Sequence, residues 1–293
     1  MRNELEHVLA MQNSLGEGPL WNVQEQALYL VDINGNCFYR YEPGTGKLER
    51  FAVGLPIGVL AIRAAGGLVM ATKKGFAFWN RQDGLQFIVD PQDRQGHTRF
   101  NDGAVDCRGR FWAGTMCELE PGCSQPEGSL YRLDADLSLH VLETNVGVSN
   151  GIGWSPDQRL MYYTDSPLRL IAIYDFDAAT GTIENRRPFV HTPDEKGVPD
   201  GLTVDSEGFI WSACWGGWKI TRYDPAGKVE RVIQLPVQYP TSCAFGGATL
   251  DELYITSAWT ALSEEKRKQQ PLAGDLFRLN AGIQGLVEPM FAG

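Results

Sequence analysis

The sequence predicts an all-β protein built as a six-bladed β-propeller. The chain is rich in turn-forming Gly (33) and Pro (16) and in aromatic residues (11%), which favours many short strands joined by tight turns. A pattern in which a turn-like or polar residue opens a small or apolar strand recurs six times, at spacings of 41 to 50 residues. A period of about 45 residues is typical of four-stranded propeller blades. The anchors of the six repeats are Glu17, Gly58, Asp102, Asn150, Asp200 and Ser242.

The interior of the repeats predicts the other strands of each blade. After the anchor strand, residues 106–114 and 205–211 each read as a turn followed by an aromatic strand. An alternating strand that ends in Asp comes next, as at residues 129–134 and 220–224. Period-two alternation bounded by Asp-Pro, Asp-Gly and Thr-Gly turns indicates antiparallel hairpins.

The remaining segments complete one domain, residues 1–293. Residues 262–270 alone have a good helical composition and are expected to form a short, solvated excursion in the last repeat. Residues 5–10 and 286–291 fall outside the six repeats and are predicted strands that close the ring from both ends. Two β-sandwich domains are the alternative, but nothing resembling a linker interrupts the middle of the chain.

The composition limits the classes of partner. The chain is 43% hydrophobic and 21% charged, which excludes disorder. Its net charge of −10 would repel nucleic acid and anionic lipid, and no obligatory protein partner is evident. No apolar run approaches the roughly 20 residues of a membrane span. The six cysteines form no CxxC pair and no signal peptide is recognisable, so we expect free thiols and a cytoplasmic location.

Polar anchor residues point to a cation site. The first strand of each blade lines the central channel of a propeller, yet four repeats place Glu17, Asn101 with Asp102, Asn150 and Asp200 there. Crowded carboxylates and amides repel one another and lose solvation unless a cation lies among them. Their hard oxygen donors suit one divalent cation, Ca²⁺, Zn²⁺, Mg²⁺, Mn²⁺ or Fe²⁺. The alternative is that the Asn-Gly and Asp-Gly pairs merely form hairpin turns, although they recur in register.

Six ordered motifs resemble the gluconolactonase/regucalcin (senescence-marker protein) family of sugar lactonases over essentially the whole chain. The resemblance implies a six-bladed propeller with one divalent cation in its channel. Matched motif by motif, it implies that Glu17, Asn150 and Asp200 are metal ligands and that Arg99 and Asn101 contact substrate. The motifs are residues 16–21, 99–103, 113–116, 149–151, 199–201 and 243–247.

One position departs from the family pattern. Regucalcin-type members carry a Glu shortly after the Ala-Gly-Thr-Met motif, and this Glu touches sugar hydroxyls. Leu119 stands at that place here, with Glu118 one residue before it. Glu118 is therefore the candidate third substrate contact, although an offset of one residue on a strand reverses the face that the side chain occupies.

The predicted activity is hydrolysis of a sugar (aldono-) lactone to the aldonic acid. The channel cation would polarise the lactone carbonyl, Arg99 and Asn101 would orient the substrate, and water would be the nucleophile. Asp200 is the favoured catalytic base and Asp102 a second candidate, since a carboxylate that coordinates a cation is a poor base. No Gly-x-Ser-x-Gly elbow is present.

Two other functions compete with hydrolysis. A non-catalytic calcium-binding or regulatory protein would use the same ligands, but Arg99 beside the cation favours an enzyme. A propeller scaffold would instead expose aromatic patches, and Trp215 and Trp218 could form one. We interpret these two tryptophans as core or channel wall, with stacking on a sugar face as a further alternative.

Overall fold

The computed structural model describes residues 4–91, 97–118 and 126–293. These residues form six four-stranded antiparallel sheets, and within five of the sheets the strands follow one another in chain order. The first strands of neighbouring sheets contact one another around the ring, which confirms the six-bladed propeller. A single domain over the whole chain stays a prediction.

The strands are short, as the turn-rich composition predicts. In chain order they are β1 (Glu6–Leu9), β2 (Gly16–Asn22), β3 (Ala27–Asp32), β4 (Cys37–Glu42), β5 (Lys47–Ala52), β6 (Ile57–Ile62), β7 (Leu68–Thr72), β8 (Gly75–Asn80), β9 (Gly84–Val89), β10 (Thr98–Val105), β11 (Phe111–Cys117), β12 (Gly128–Leu133), β13 (Leu139–Val146), β14 (Ser149–Trp154), β15 (Leu160–Asp165), β16 (Leu170–Asp177), β17 (Thr182–His191), β18 (Val198–Val204), β19 (Ile210–Trp215), β20 (Lys219–Tyr223), β21 (Val229–Gln234), β22 (Pro240–Gly246), β23 (Glu252–Ser257) and β24 (Leu276–Asn280). A 3-10 turn covers Ser166–Leu168, and the helix α1 covers Glu264–Gln269.

We number the blades from the first complete sheet. Blade 1 is β2–β5, blade 2 is β6–β9, blade 3 is β10–β13, blade 4 is β14–β17 and blade 5 is β18–β21. Blade 6 has the order β1-β24-β23-β22, so the N-terminal strand covers the edge of β24 and closes the ring.

The prediction of a closing strand at residues 286–291 is wrong. Because β1 already occupies the outer edge of blade 6, the C-terminal segment has no edge to pair with there. It forms only isolated bridges, Asp205 with Gly285 and Arg63 with Phe291. The segment runs from blade 5 to blade 2 across the axis, and Phe291 is fully buried among core residues of blades 2 and 3. We call residues 285–293 the C-terminal strap.

Every first strand is irregular at its anchor. The pairing of β2, β6, β10, β14, β18 and β22 with the second strand of the blade shifts register at that point. Such β-bulges change the direction in which a side chain points, and they are common beside active sites. The Asn-Gly and Asp-Gly pairs therefore lie within strands, and the hairpin-turn alternative is wrong.

The glycines after the anchors are needed because adjacent first strands approach closely near the axis. A Cβ atom on Gly151 would lie 2.5 Å from the backbone nitrogen of Leu202 in the next blade. A Cβ atom on Gly201 would lie 2.2 Å from Oγ of Ser242. Any larger residue at these positions would push the blades apart.

Two further predictions concern the helix at residues 262–270 and the state of the cysteines. The prediction of a helix within residues 262–270 is confirmed by α1. Ser263 caps its N-terminus, because Oγ of Ser263 accepts a hydrogen bond from the backbone amide of Lys266. The expectation of six free thiols is wrong, because Cys117 is disulfide-bonded. Among the cysteines in the described part of the chain, those at positions 37, 107, 214 and 243 are free. Within the described ranges, no helix is both long and apolar enough to cross a membrane.

Candidate active site

The bulged first strands place the predicted polar residues at the channel. Glu17 lies on β2, Asp102 on β10, Asn150 on β14 and Asp200 on β18. All four side chains are buried, with between 4% and 7% of each residue exposed. Glu17 interacts electrostatically with both Asp200 and Asp102, so residues far apart in sequence form one acidic cluster.

Burial and repulsion make this cluster unfavourable as a set of bare carboxylates. Burial, then the charges of Asp200 and Asp102, raise the pKa of Glu17 well above its usual value. Burial, then Asp102, raise the pKa of Asp200 in the same way. Burial raises the pKa of Asp102 to about 7. Each carboxylate accepts a hydrogen bond from the amide of the glycine that follows it, which opposes part of this rise.

A chain of hydrogen bonds crosses three blades beside the acidic cluster. Nη1 of Arg99 donates to Oδ1 of Asn101 (2.7 Å), and Nδ2 of Asn101 donates to Oδ1 of Asn150 (3.0 Å). Nδ2 of Asn150 donates to Oγ of Ser166 (2.8 Å), which in turn donates to the carbonyl of Pro199 (2.7 Å). The predicted substrate pair and the predicted ligand Asn150 therefore belong to one network.

The network determines which atoms remain available. Nδ2 of Asn101 also donates to the carbonyl of Ser149 (2.8 Å), so both of its N–H groups are used. Its Oδ1 accepts from Arg99 and retains a second lone pair. Because Ser166 engages Nδ2 of Asn150, the Oδ1 atom of that amide is the one oriented toward Asn101.

Arg99 adds a positive charge to this end of the channel. Its side chain is partly buried, and Nη1 also donates to the carbonyl of Phe100 (3.0 Å). Burial lowers the pKa of Arg99, while the charges of Glu118 and Glu17 oppose that change. A guanidinium stays charged under all ordinary conditions, so Arg99 remains a cationic donor.

Glu118 lies near Arg99 but has its own partner. Its Oε2 forms an ion pair with Nζ of Lys73 (2.6 Å), and its backbone amide donates to the carbonyl of His97 (3.0 Å). Glu118 is thus held at the same end of the channel, and its charge acts on Arg99. Leu119, the position that departs from the family pattern, lies outside the described residues.

Sequence reasoning missed Ser166 and Lys73. Both lie between the second and third strands of a blade, Ser166 after β15 and Lys73 after β7. These connections differ in length and composition from blade to blade, so no repeated position marks them. Only the spatial contact with Asn150 or Glu118 assigns each residue to the site.

The residues present fit a divalent cation. Glu17, Asn150 and Asp200 offer carboxylate and amide oxygens, the donors that hard cations prefer. Within the described ranges, no group of three or more His, Cys, Asp or Glu side chains could hold a metal ion, and the predicted ligand set has two carboxylates and the amide of Asn150. A positive charge at this place would oppose the burial and repulsion that raise the carboxylate pKa values.

Comparison with known proteins identifies the family. The model of the SMP-30/gluconolactonase/LRE-like region matches residues 15–259. The chain belongs to this family. It is 37% identical over 295 residues to regucalcin from Xenopus laevis, covering 99% of both chains. It is 38% identical over 281 residues to a Bacillus subtilis (strain 168) protein named "Putative sugar lactone lactonase YvrE", covering 95% of both.

A solved structure agrees over nearly the whole length. A calcium-binding protein, regucalcin, from Agrobacterium tumefaciens strain C58 has a TM-score of 0.92 to this chain. The two are 25% identical, and the match covers 98% of this chain and 97% of the other. The family resemblance of the six motifs is therefore confirmed, together with the fold that it implies.

Proposed function

We propose that this member of the SMP-30/gluconolactonase family hydrolyses a sugar (aldono-) lactone to the aldonic acid in a metal-dependent reaction. Glu17, Asn150 and Asp200 would hold one divalent cation. The observation that carries the proposal is the buried acidic cluster beside a hydrogen-bonded chain that runs from the cationic Arg99 through Asn101 to Asn150. A sugar lactone combines a carbonyl group with several hydroxyl groups, and this site offers hydrogen-bond donors and acceptors for both.

The side chains of the network would orient the substrate. When bound, the cation supplies Lewis-acid polarisation of the lactone carbonyl. Arg99 donates to a lactone oxygen and stabilises negative charge that develops on it. Asn101 has both N–H groups engaged, so it contributes its Oδ1 atom as acceptor for a substrate hydroxyl. Glu118, held by Lys73, would accept from a second hydroxyl at the rim.

A carboxylate of the cluster would accept the proton of the attacking water. Water attacks the carbonyl carbon, the ring C–O bond breaks, and the ring oxygen leaves with a proton as the new hydroxyl of the acid. Asp200 is the proposed base because its buried carboxylate lies within the cluster where the cation and the attacking water would be held. Asp102 is the second candidate, with a pKa of about 7.

The test is a lactonase assay on glucono-, galactono-, xylono- and arabinono-lactones with Glu17→Gln and Asp200→Asn. Both variants keep side-chain size and remove one negative charge. We expect the rate to fall about a hundredfold or more, as when a single electrostatic stabiliser is removed. Glu184→Gln, the same change on the exposed strand β17, should retain the parent rate. If the folded Glu17 and Asp200 variants hydrolyse these lactones as fast as the parent, the proposal fails.

A second candidate function is non-catalytic calcium binding, favoured by the regucalcin relatives and the calcium-binding structural neighbour. It needs the acidic cluster but not the substrate contacts. Arg99→Met removes the guanidinium beside Glu17 and discriminates between the two functions. A lactonase loses activity in this variant, whereas a calcium-binding protein binds Ca²⁺ more tightly because a nearby positive charge is gone.

A further inference from the structure

An open pocket lies over blade 5, beside the acidic cluster. Its volume is about 560 Å³. It is formed by the 3-10 turn of blade 4, the connections that precede β18 and follow β19, and the connection that precedes β22. We call it the aromatic pocket. Its side-chain lining is Arg169, Glu195, Lys196, Val198, Trp215, Trp218, Gln238 and Tyr239.

Three aromatic side chains line the pocket. The rings of Trp215 and Tyr239 lie 4.5 Å apart at an angle of 46°, so they form a corner rather than a stack. Trp218 is 36% exposed and has a left-handed backbone (φ 63°). A non-glycine residue held in the left-handed region is uncommon, and such residues cluster at functional sites, so the exposed Trp218 ring indicates a binding role. Burial as core or channel wall, our first interpretation of these tryptophans, is wrong for Trp218.

The pocket walls are held by ionic and backbone contacts. Nη1 of Arg169 donates to the carbonyls of Glu195 (3.0 Å) and Gly197 (2.8 Å), which fixes the connection before β18. Glu195 forms an ion pair with Lys219, the first residue of β20. The backbone amide of Trp218 donates to the carbonyl of Gln238 (3.3 Å), which ties the aromatic corner to the next blade. The pocket is therefore preformed.

The pocket adjoins the acidic cluster through β18. Val198 lines the pocket and pairs with Trp215, while Asp200 lies two residues further along the same strand. Two residues of a strand span about 7 Å. The carbonyl of Pro199, between them, accepts from Ser166, which also holds Asn150. β18 therefore separates the aromatic pocket from the acidic cluster by only two residues.

We infer that the aromatic pocket binds a second pyranose ring, so that the substrates include disaccharide lactones in which a glycosyl unit is attached to the lactone. This inference rests on the proposed function. Aromatic faces pack against the C–H faces of a sugar, and hydroxyl groups need polar partners around them. The pocket offers both, because Arg169, Glu195, Lys196 and Gln238 surround its three rings.

The test compares cellobiono-1,5-lactone with glucono-1,5-lactone. Trp218→Gly removes the ring and suits the left-handed backbone, so this variant should fold. We expect its kcat/KM for the disaccharide lactone to fall about tenfold, mainly through KM, and its kcat/KM for gluconolactone to stay within twofold. Trp218→Phe keeps an aromatic ring and should retain most of the parent kcat/KM for the disaccharide lactone. Phe87→Ala, an exposed aromatic residue on β9, is the control and should change neither.

Binding of the products separates this inference from the proposed function. Tryptophan fluorescence titration should show tighter binding of cellobionate than of gluconate, and Trp218→Gly should abolish that difference even if no lactone is hydrolysed. The inference is overturned if the folded Trp218→Gly variant treats both sugars as the parent does. It is also overturned if Trp218→Gly lowers kcat/KM equally for cellobiono-1,5-lactone and glucono-1,5-lactone. The same holds if the variant loses turnover only of a lactone that carries an alkyl chain in place of the second sugar, because the pocket would then bind an apolar group.

Discussion

Ser166 is the hydroxyl that connects Asn150 to the neighbouring blade. It accepts from the Asn150 amide and donates to the carbonyl of Pro199, the residue before Asp200. One side chain therefore sets the orientation of a predicted ligand and braces the strand that carries another. Groups of this kind, which orient the ligands of a metal, commonly change affinity or activity by 10 to 100-fold when they are lost.

Ser166→Ala should weaken divalent-cation binding and lactone turnover by about tenfold or more, because the Asn150 amide can then rotate. Calorimetric titration of the apo protein with Ca²⁺ and Zn²⁺ measures the first effect. Ser206→Ala, an exposed serine in the turn before β19, is the matched control. An unchanged affinity in a folded Ser166→Ala protein would show that the hydroxyl has no positioning role.

At the residue scale, the sequence predicts the members of the site that belong to the repeat. Glu17, Asn150 and Asp200 occupy equivalent places in three blades, so their register brings them to one channel. Ser166, Lys73 and the tryptophans of the aromatic pocket could not be assigned in this way. The connections that contain Ser166, Lys73 and Trp218 differ in length and composition from blade to blade, and Trp215 is the last residue of β19. Only packing places these residues near the site.

Two blades contain the same buried aspartate, Asp106 or Asp205, in the turn between their first and second strands. Asp205 accepts from Nε1 of Trp211 (2.9 Å) and from Nε (2.9 Å) and Nη2 (2.7 Å) of Arg222. Asp106 accepts in the same way from Nε1 of Trp112 (2.8 Å). Both aspartates also accept from backbone amides two and four residues ahead. Each one fixes the turn and joins the strands of its blade.

Asp205→Ala should reduce the free energy of unfolding by about 3 kcal/mol, because it leaves a buried indole N–H and Nε of Arg222 without their acceptor, although the guanidinium keeps Glu207 and Glu230. Urea denaturation of the parent and the variant measures this loss. Asp224→Ala is the control, since Asp224 accepts from two amides of an exposed turn and should cost about 1 kcal/mol. If Asp205→Ala and Asp224→Ala lost equal free energies of unfolding, the buried contacts of Asp205 would have no special role in stability.

At the element scale, most strands could be predicted from period-two alternation and turn residues. The C-terminal strap could not, because residues 286–291 have a strand-like composition but no free edge in the closed ring. The β-bulges were also missed. They depend on how closely six first strands approach at the axis, which no local pattern records.

The strap passes beneath the acidic cluster and closes the other end of the channel. Glu288 and Pro289 line a small internal cavity together with residues from the first strands of the blades, Asp102 among them. Cys107 lines the adjoining cavity that Glu288 also faces. Burial raises the pKa of Glu288 to about 7.

Glu288 makes the free energy of unfolding fall as pH rises. Its pKa is higher in the folded than in the unfolded protein, so its ionisation destabilises the fold as pH rises from about 4.5 through 7. Glu288→Gln should therefore raise the free energy of unfolding by about 3 kcal/mol at pH 8 and leave it nearly unchanged at pH 4. Urea denaturation at the two pH values measures the difference. A gain of equal size at both would contradict burial of the charge as its cause.

The whole molecule brings three predicted ligands from three blades to one place, where we propose that they hold a cation used in lactone hydrolysis. The most direct measurement is the initial rate of glucono-1,5-lactone hydrolysis by chelator-treated protein as a divalent cation is added back. We predict a rise of about a hundredfold or more that saturates at one cation per chain, and no rise in Glu17→Gln. A rate that is the same before and after loading, in protein that has bound the cation, would show that the cation has no role in hydrolysis.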